Sequence, residues 1–315
     1  MESLKKIADI LKNKDFFYIL THIYPDGDTL GSAYSLCKAL QKLGKHAKVL
    51  TDVNCPSKFD FLKNNIKEEN FNPQYIISVD TAEKTLIPSN LKKFENSINL
   101  CIDHHIKSII PADISYTDST AAANCEIIYY LLKEMGVKID KDIAACLYTG
   151  ISTDTGCFKY SNTTAKSHFI VSELLKYDFP VSAINENLFI KKSKKKIETE
   201  KILNKNLEFS FDNKCAITHI TTDEMKSINI GENELDGIAS LPIAIENVDI
   251  GITMRQKSNG EYKVSVRTSN KINANEFCKN FGGGGHERAA GFSSLDNILK
   301  IKSKIKNILT LKFGW

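Results

Sequence analysis

The segment THIYPDGDTLGS, residues 21–32, holds the densest group of side chains that could bind a metal ion. Its candidates are His22, Asp26 and Asp28. One imidazole and two carboxylates suit a hard to borderline divalent cation such as Mn²⁺ and differ from the thiolate sets of structural zinc. An isolated Asp-Gly-Asp is usually a turn signature, but the neighbouring histidine favours a metal site. Asp26 and Asp28 are two residues apart in this segment, and we expect them to serve two different metals.

A second group of candidate ligands is Asp103, His104 and His105, while Asp80 and Asp154 supply carboxylates from elsewhere in the chain. Adjacent histidines in an extended segment point to opposite sides, so one could bind a metal while the other meets a substrate. Each of these Asp residues alone could be a turn or helix-capping residue. Their recurrence at strand ends or in a Gly-flanked loop favours a shared site.

A third feature is the segment FGGGGHERAAG, residues 281–291, in which four glycines precede His286 and Arg288. Such a run has no helix or strand propensity, and its exposed backbone N–H groups would suit a phosphate or a closely approaching ribose. A flexible surface loop is the alternative. The histidine and the following Ala-Ala-Gly favour a shaped binding loop.

The elements that must position these residues are visible in the first half of the chain. Apolar segments rich in β-branched and aromatic residues predict buried strands at 16–22, 48–52, 75–80 and 98–103. These segments end at His22, Asp52, Asp80 and Asp103. Helical periodicity separates most of them, most clearly at 29–44. Strands that alternate with helices predict a doubly wound, mainly parallel sheet with its ligand site at the carboxyl ends of the strands.

The domain organisation follows from changes in pattern along the chain. Residues 124–190 read as nearly all helical, and the charge-rich segment 191–206 reads as a solvated helical linker, with a nucleic-acid patch on its lysines as the alternative. Antiparallel-looking strands follow at 215–220, 248–256 and 261–269, the last two joined by a hairpin at Lys257–Gly260. We therefore predict an α/β domain over 1–190, a linker over 191–206, and a smaller α+β domain over 207–315.

Composition narrows the class of protein. The 315 residues are 42% hydrophobic and 25% charged, which excludes a disordered chain, and a net charge of +4 does not favour a protein that coats nucleic acid non-specifically. The eight cysteines form no CxxC pair and predict reduced thiols. The sequence has no signal-peptide pattern and no apolar run of about 18 to 20 residues, so we expect a cytoplasmic protein without a membrane anchor.

The motifs together resemble those of the DHH phosphoesterase superfamily. HIYPDGD, VD at 79–80, DHH at 103–105 and STDTG at 152–156 match its four motifs in order. GGGGHERAAG is similar to the signature of the first type of DHH-associated C-terminal domain. The resemblance covers nearly the whole chain and is strongest to the bacterial nanoRNase and phosphoadenosine phosphatase subfamily.

The resemblance implies a centre of two Mn²⁺ ions in the cleft between the domains, with Mg²⁺ or Co²⁺ as substitutes. The residues it assigns to the first metal are His22, Asp26 and bridging Asp80, and those it assigns to the second are Asp28, Asp80, His104 and Asp154. It implies that His105 faces the scissile phosphate and that Asp103 orients the histidines. Two metals about 3.5–4 Å apart can stabilise both the entering and the leaving oxygen of a phosphodiester.

For substrate binding, the resemblance implies contacts from His286 and the backbone of Gly283, Gly284 and Gly285, with Arg267 clamping an anion and Arg255 as a weaker candidate. The chain has only three arginines among 42 basic residues, all in its last third. Guanidinium binds phosphate bidentately, whereas Lys acts as a point charge. For the third, Arg288, a surface salt bridge is as reasonable as a substrate contact.

The function that the resemblance implies is hydrolysis of very short RNA, about two to five nucleotides long, to mononucleotides, together with dephosphorylation of 3′-phosphoadenosine 5′-phosphate (pAp) to AMP. A homodimer is usual among such proteins. One alternative is hydrolysis of linear dinucleotides such as pApA or pGpG from cyclic-dinucleotide turnover, which the same site could perform. A non-catalytic nucleotide-binding regulator is an alternative of another class, but its mark would be a lost metal ligand, and every motif position is kept.

Overall fold

The computed structural model describes residues 3–231, 235 and 237–315. The chain divides into two compact units between Lys191 and Lys192, and each unit is described by itself. Across these described ranges, no helix combines the length and the apolar character required to span a bilayer. All eight cysteines are free thiols, as predicted.

One parallel β-sheet forms the centre of the first unit. Its strands are Phe17–Leu20 (β1), Ala47–Leu50 (β2), Tyr75–Val79 (β3), Leu100–Asp103 (β4) and Ile114–Thr117 (β5). They lie in the order β2-β1-β3-β4-β5, and every neighbouring pair is parallel. The four predicted strands and their parallel arrangement are confirmed. Because β2 and β3 lie on opposite sides of β1, the connection reverses there, and such a reversal places a crevice at the carboxyl ends of the strands.

Helices precede, connect and follow these strands. They are Leu4–Asn13 (α1), Gly27–Lys42 (α2), Asn124–Glu134 (α3), Lys141–Asp154 (α4), Ala165–Leu174 (α5) and Val181–Asn185 (α6), followed by a π-helical turn at Glu186–Ile190. The helical prediction for 124–190 is confirmed. Short 3₁₀ segments at Ser57–Lys63, Lys84–Leu86 and Ser89–Phe94 replace full helices in the connections from β2 to β3 and from β3 to β4.

Both faces of this sheet are buried, which explains why its strands read as continuous apolar runs. Ile19, Ile77 and Ile102 pack into the core formed with α1 to α4. Their neighbours Ile76 and Cys101 belong to a smaller cluster on the opposite face, where the 3₁₀ segments pack. Helix α2 is buried from its first residue to Leu40 because it lies against α3 and α4 as well as the sheet.

The second unit contains a mixed six-stranded sheet in the order β10-β11-β9-β8-β7-β6. Its strands are Glu208–Ser210 (β6), Cys215–Ile220 (β7), Ile250–Gln256 (β8), Tyr262–Thr268 (β9), Gly284–Gly285 (β10) and Ala289–Ser294 (β11). The hairpin between β8 and β9 is confirmed. The expectation of an antiparallel arrangement is wrong for β7 and β8, which pair in parallel. Alternation of apolar residues is the same in both kinds of pairing, so the pattern alone could not separate them.

Four α-helices are present in the described part of the second unit. They are Lys194–Lys205 (α7), Thr222–Ser227 (α8), Ala274–Lys279 (α9) and Ile298–Phe313 (α10). Helix α7 occupies the segment expected as a linker and falls within the second unit. Its Leu203 is fully buried, and the Leu203 carbonyl accepts a hydrogen bond from the hydroxyl of Thr218 in β7.

Candidate metal centre

The candidate ligands collect at the carboxyl edge of the first sheet. His22 follows β1 by two residues, Asp80 follows β3 directly, and His104 follows β4 directly. Asp26 caps the N-terminus of α2, and Asp154 is the last residue of α4. Asp52, which follows β2, lies outside these groups, and its carboxylate accepts the N–H of Asn54 in a turn.

Three groups of possible ligand atoms result; one of them, Asp80 with His104 and His105, shares a residue with each of the other two. Of those two, one comprises His22, Asp26 and Asp80, and the other comprises Asp28, His104 and Asp154; within each group the atoms lie within 4.8 Å of one another. Nε2 of His104 lies 3.4 Å from a carboxylate oxygen of Asp80 and 3.4 Å from one of Asp154. Asp80 therefore contacts both groups, and the six residues that the sequence singles out lie together.

Asp26 and Asp28 belong to different groups because they occupy different backbone conformations. Asp26 has extended backbone and caps α2, accepting the N–H groups of Asp28 and Thr29 at 3.0 and 3.1 Å. Asp28 already lies in the first helical turn. The bend of the chain into the helix separates the two carboxylates, which would lie on the same side in a fully extended segment.

Asp28 is held from outside its own helix. Its two carboxylate oxygens accept the backbone N–H groups of Asn124 and Cys125, at 2.5 and 2.9 Å, at the start of α3. A Cβ atom on Gly150 of α4 would come 2.7 Å from Asp28 Oδ1, so only glycine admits this approach. These three positions were not identified from the sequence. Asn124 and Cys125 contribute backbone N–H groups, which no side-chain pattern marks.

Asp80 provides the test of whether a cation fits this site. Its backbone has φ +52°, an uncommon value for a residue other than glycine, and its carboxyl group is 3% exposed. Its Oδ1 accepts no hydrogen bond from the residues that the structure describes. Burial, together with the nearby carboxylates of Asp28 and Asp26, raises the pKa of Asp80 well above its usual value. A buried carboxylate oxygen without a donor is suited to a bound cation.

The rest of the cluster has the same electrostatic character. Burial and neighbouring carboxylates also raise the pKa of Asp154 well above its ordinary value, and burial raises that of Asp28. Burial alone would lower the pKa of His104, but Asp28 and Asp154 outweigh it and raise that pKa. Burial lowers the pKa of His22, which favours the neutral, ligating imidazole. The cluster thus has excess negative charge that divalent cations would offset.

The two histidines of the DHH motif do not point to opposite sides, which corrects the expectation from strand alternation. Their rings meet edge to face with centroids 4.8 Å apart, and Nδ1 of His105 lies 3.7 Å from Asp80. That nitrogen is also 2.7 Å from Oδ1 of Asp103, which is fully buried. Burial would raise the pKa of Asp103, but hydrogen bonds from His105 and Ser108 outweigh it and lower that pKa. A charged Asp103 can therefore orient His105.

In the second unit, the glycine-rich segment forms β10 and a tight turn to β11. The N–H groups of Gly282, Gly283 and His286 donate to backbone carbonyls, and that of Gly285 donates to Asn275 Oδ1. The expectation that this run offers exposed N–H groups is therefore wrong for these four. The side chain of His286 is exposed at the turn.

The three arginines occupy different places around this segment. Arg267 of β9 is paired with Ala289, directly beside the turn that carries His286. Arg255 of β8 lies four residues, or about 13 Å along the strand, from Gly251, which is the β8 partner of Arg267. Arg288 donates to the carbonyl of Ser269 and lies 3.8 Å from Glu287, which favours a structural role. Ala289 thus lies between Arg267 and His286, and Arg255 lies further along the sheet.

Comparison with known proteins agrees with this division of the chain. Residues 16–151 match the DHH family, N-terminal domain, and residues 213–311 match the DHHA1 domain. The chain is 30% identical over 315 residues to the probable bifunctional oligoribonuclease and PAP phosphatase NrnA of Streptococcus mutans, covering 98% of this chain and 100% of that protein. It is 28% identical to the bifunctional oligoribonuclease and PAP phosphatase NrnA of Thermus thermophilus, over 92% of this chain and 88% of that protein.

Solved structures share the fold. An exopolyphosphatase-related protein from Bacteroides fragilis superposes with a TM-score of 0.86 at 21% identity, covering 98% of this chain and 97% of that one. RecJ from Thermus thermophilus, solved in complex with Mn²⁺, gives a TM-score of 0.57 at 15% identity over 96% of this chain and 54% of RecJ. Because its motifs, its two domain matches and its similarity to a relative over 98% of the chain agree, the chain belongs to the DHH family, in the form that carries a DHHA1 domain.

Proposed function

We propose that this protein is a Mn²⁺-dependent phosphoesterase that degrades very short RNA, about two to five nucleotides long, to mononucleotides and converts pAp to AMP. Similarity over the full length to proteins named bifunctional oligoribonuclease and PAP phosphatase supports the substrates. The observation that carries the chemistry is the buried Asp80 carboxylate. It contacts two groups of potential ligands, and one of its oxygens has no hydrogen-bond donor among the described residues.

Two ions would fit the two groups. His22, Asp26 and Asp80 would hold one, and the residues that would hold the other are Asp28, Asp80, His104 and Asp154. Carboxylate oxygens with one imidazole per site suit Mn²⁺, with Mg²⁺ or Co²⁺ as substitutes. Such ions, when bound, would neutralise the charge of the phosphate and lower the pKa of an attacking water.

The chain's own residues supply orientation and proton transfer. Asp103 accepts from Nδ1 of His105, which leaves Nε2 of His105 for the substrate. During hydrolysis a water oxygen adds to phosphorus, the bond to the ester oxygen breaks, and the departing oxygen takes a proton. We assign that proton to His105 Nε2, because the hydrogen bond between Nδ1 and Asp103 fixes the orientation of the ring.

The second unit would hold the rest of the substrate. Arg267 and His286, which lie on either side of Ala289 near the turn after β10, would bind a terminal phosphate or nucleotide. Gly283, Gly284 and Gly285 would contribute close approach of the backbone rather than free N–H groups. Arg255 stays a weaker candidate for a substrate contact. The resemblance also implies a homodimer, which light scattering of the purified chain tests.

The decisive experiment is a panel of labelled oligonucleotides, two to twenty-four nucleotides long with either end blocked, together with pAp and pApA, incubated with Mn²⁺. We expect release of mononucleotides from the shortest RNAs and of phosphate from pAp, with activity falling as length increases. Turnover restricted to pApA or pGpG would favour the dinucleotide phosphodiesterase. A folded protein that turns over none of these substrates would overturn the enzyme and favour a nucleotide-binding regulator.

A further inference from the structure

The segment Ala121–Cys125, between β5 and α3, contacts two of the candidate ligands through its backbone. The carbonyl of Ala121 lies 3.2 Å from Nδ1 of His104, the nitrogen opposite the one that faces the acids. The N–H groups of Asn124 and Cys125 hold both oxygens of Asp28. Both ligands belong to the same group, the one completed by Asp154.

The third member of that group is tied to the same segment by one side chain. Nδ2 of Asn162 donates to the carbonyl of Asp154 and to the carbonyl of Ala122, both at 3.1 Å. An amide nitrogen carries two hydrogens, so these two bonds use both of them and fix the orientation of the side chain. Asn162 thereby joins the end of α4 to the segment that already holds Asp28 and His104.

The other group is supported differently. Asp26 accepts hydrogen bonds from the first turn of its own helix. Asp80 is positioned by its own positive-φ backbone directly after β3. Among the hydrogen bonds of the described residues, neither Asn162 nor Ala121–Cys125 contacts His22, Asp26 or Asp80. A defect at Asn162 should therefore affect one group and spare the other.

We propose that Asn162 is a positioning residue for the cation held by Asp28, His104 and Asp154. The inference rests on the proposed metal-dependent function and adds a role for a residue outside the ligand set. Partners that orient the ligands of a metal typically change its affinity by about 10- to 100-fold when they are removed. Loss of Asn162 would free the backbone at Asp154 relative to Asp28 and His104, so the three ligand atoms would no longer converge.

Calorimetric titration of the metal-free, full-length protein with MnCl₂ tests this. The unsubstituted chain should bind two ions, and Asn162→Ala should weaken one of them by about 10- to 100-fold while leaving the other unchanged. The site is identified in an Asp26→Asn background, in which Asn still caps α2 but the other group loses a carboxylate. In that background the remaining ion should be the one that Asn162→Ala weakens.

Asn187→Ala is the matched control, because Asn187 is also an exposed residue whose Nδ2 donates to a backbone carbonyl, that of Lys58 at 2.9 Å. It should leave both ions unchanged. Equal loss at both sites, no loss at either, or the same loss in Asn187→Ala would overturn the positioning role and leave the proposed function intact. Failure of the unsubstituted chain to bind any Mn²⁺ would overturn the metal centre itself, and this inference with it.

Discussion

Asp80 is the residue at which stability and the proposed chemistry conflict most directly. Its carboxyl group is buried, and within the described part of the chain its Oδ1 has no hydrogen-bond donor. Three neighbouring acids contribute to the rise in its pKa. An ionised carboxylate in such surroundings destabilises the metal-free fold unless a cation compensates. We therefore expect that removal of this charge stabilises the metal-free fold and abolishes the metal-dependent activity.

We predict that Asp80→Asn raises the Tm of the protein in EDTA and abolishes both hydrolysis and the Tm increase on adding Mn²⁺. Each 1 kcal/mol of stabilisation would appear as about 2–4 °C in a domain of this size. Thermal melting with and without Mn²⁺ measures both effects. The exposed Asp9 provides the control, since Asp9→Asn should change neither. A lower Tm for Asp80→Asn in EDTA would contradict the prediction.

Arg267 tests the proposed substrate contact of the second unit. Arg267→Lys keeps the positive charge but loses the planar fork that binds phosphate bidentately. We expect about a tenfold rise in KM for pApA, equivalent to about 1.4 kcal/mol, with little change in kcat. Steady-state kinetics measures the split. Arg288→Lys is the matched control, since Arg288 is bonded to Ser269 within the unit; equal effects from both substitutions would remove the special role of Arg267.

The residue types of the candidate metal centre could be predicted because most of them lie beside a strand end or a helix start that the sequence pattern marks. The orientation of neighbouring side chains within each motif could not be predicted. His104 and His105 both face Asp80, since the chain leaves the strand at Asp103 and alternation no longer applies. Backbone donors such as those of Asn124 and Cys125 carry no side-chain signature, so only folding reveals them.

At the scale of elements, the glycine-rich segment separates structural from functional glycines. A Cβ on Gly283 would come 2.2 Å from the carbonyl of Gly291 and 2.5 Å from Phe292, whereas a Cβ on Gly284 would meet only Asn275 Oδ1, at 3.5 Å. A side chain at position 283 would therefore clash with β11, whereas a Cβ atom at position 284 fits without a clash.

We predict that Gly283→Ala destabilises the second unit by about 1–3 kcal/mol through overpacking, whereas Gly284→Ala leaves the Tm unchanged and raises KM for pApA. The second effect follows if substrate approaches the exposed backbone at Gly284. Melting curves and kinetics on the two variants distinguish the roles. An unchanged KM in Gly284→Ala would remove this glycine from the proposed substrate contacts.

The elements that the sequence failed to reveal share physical causes. Strand β5, with the sequence ISYT, is a four-residue edge strand without a fully buried side chain, so it lacks the dense apolar pattern of its neighbours. Strand β10 consists of two glycines and is defined only by its pairing with β11. The parallel pairing of β7 and β8 depends on the chain that connects them, which strand periodicity does not encode.

At the scale of the whole molecule, the net charge of +4 conceals a local concentration of acid at the edge of the first sheet. Asp28, Asp80 and Asp154 all have raised pKa values, with burial as the largest cause. A raised folded pKa means that each group contributes stability below its unfolded pKa of about 4, and loses that contribution as the pH rises through the folded pKa. Asp28 and Asp154 raise the pKa of His104, so this residue also contributes stability below its unfolded pKa and loses that contribution as the pH rises.

The same protons compete with a metal, because carboxylates and imidazoles bind cations only after they lose them. We therefore predict that the Tm increase produced by Mn²⁺ grows from about pH 5.5 to about pH 8, as the metal-free form loses these contributions and the ligands become available. Melting in EDTA and in Mn²⁺ across this range measures the increase. Calorimetry in buffers of different ionisation enthalpy should also show protons released on binding. An increase that stays constant or shrinks with pH would mean that the buried acids are already ionised in the metal-free protein.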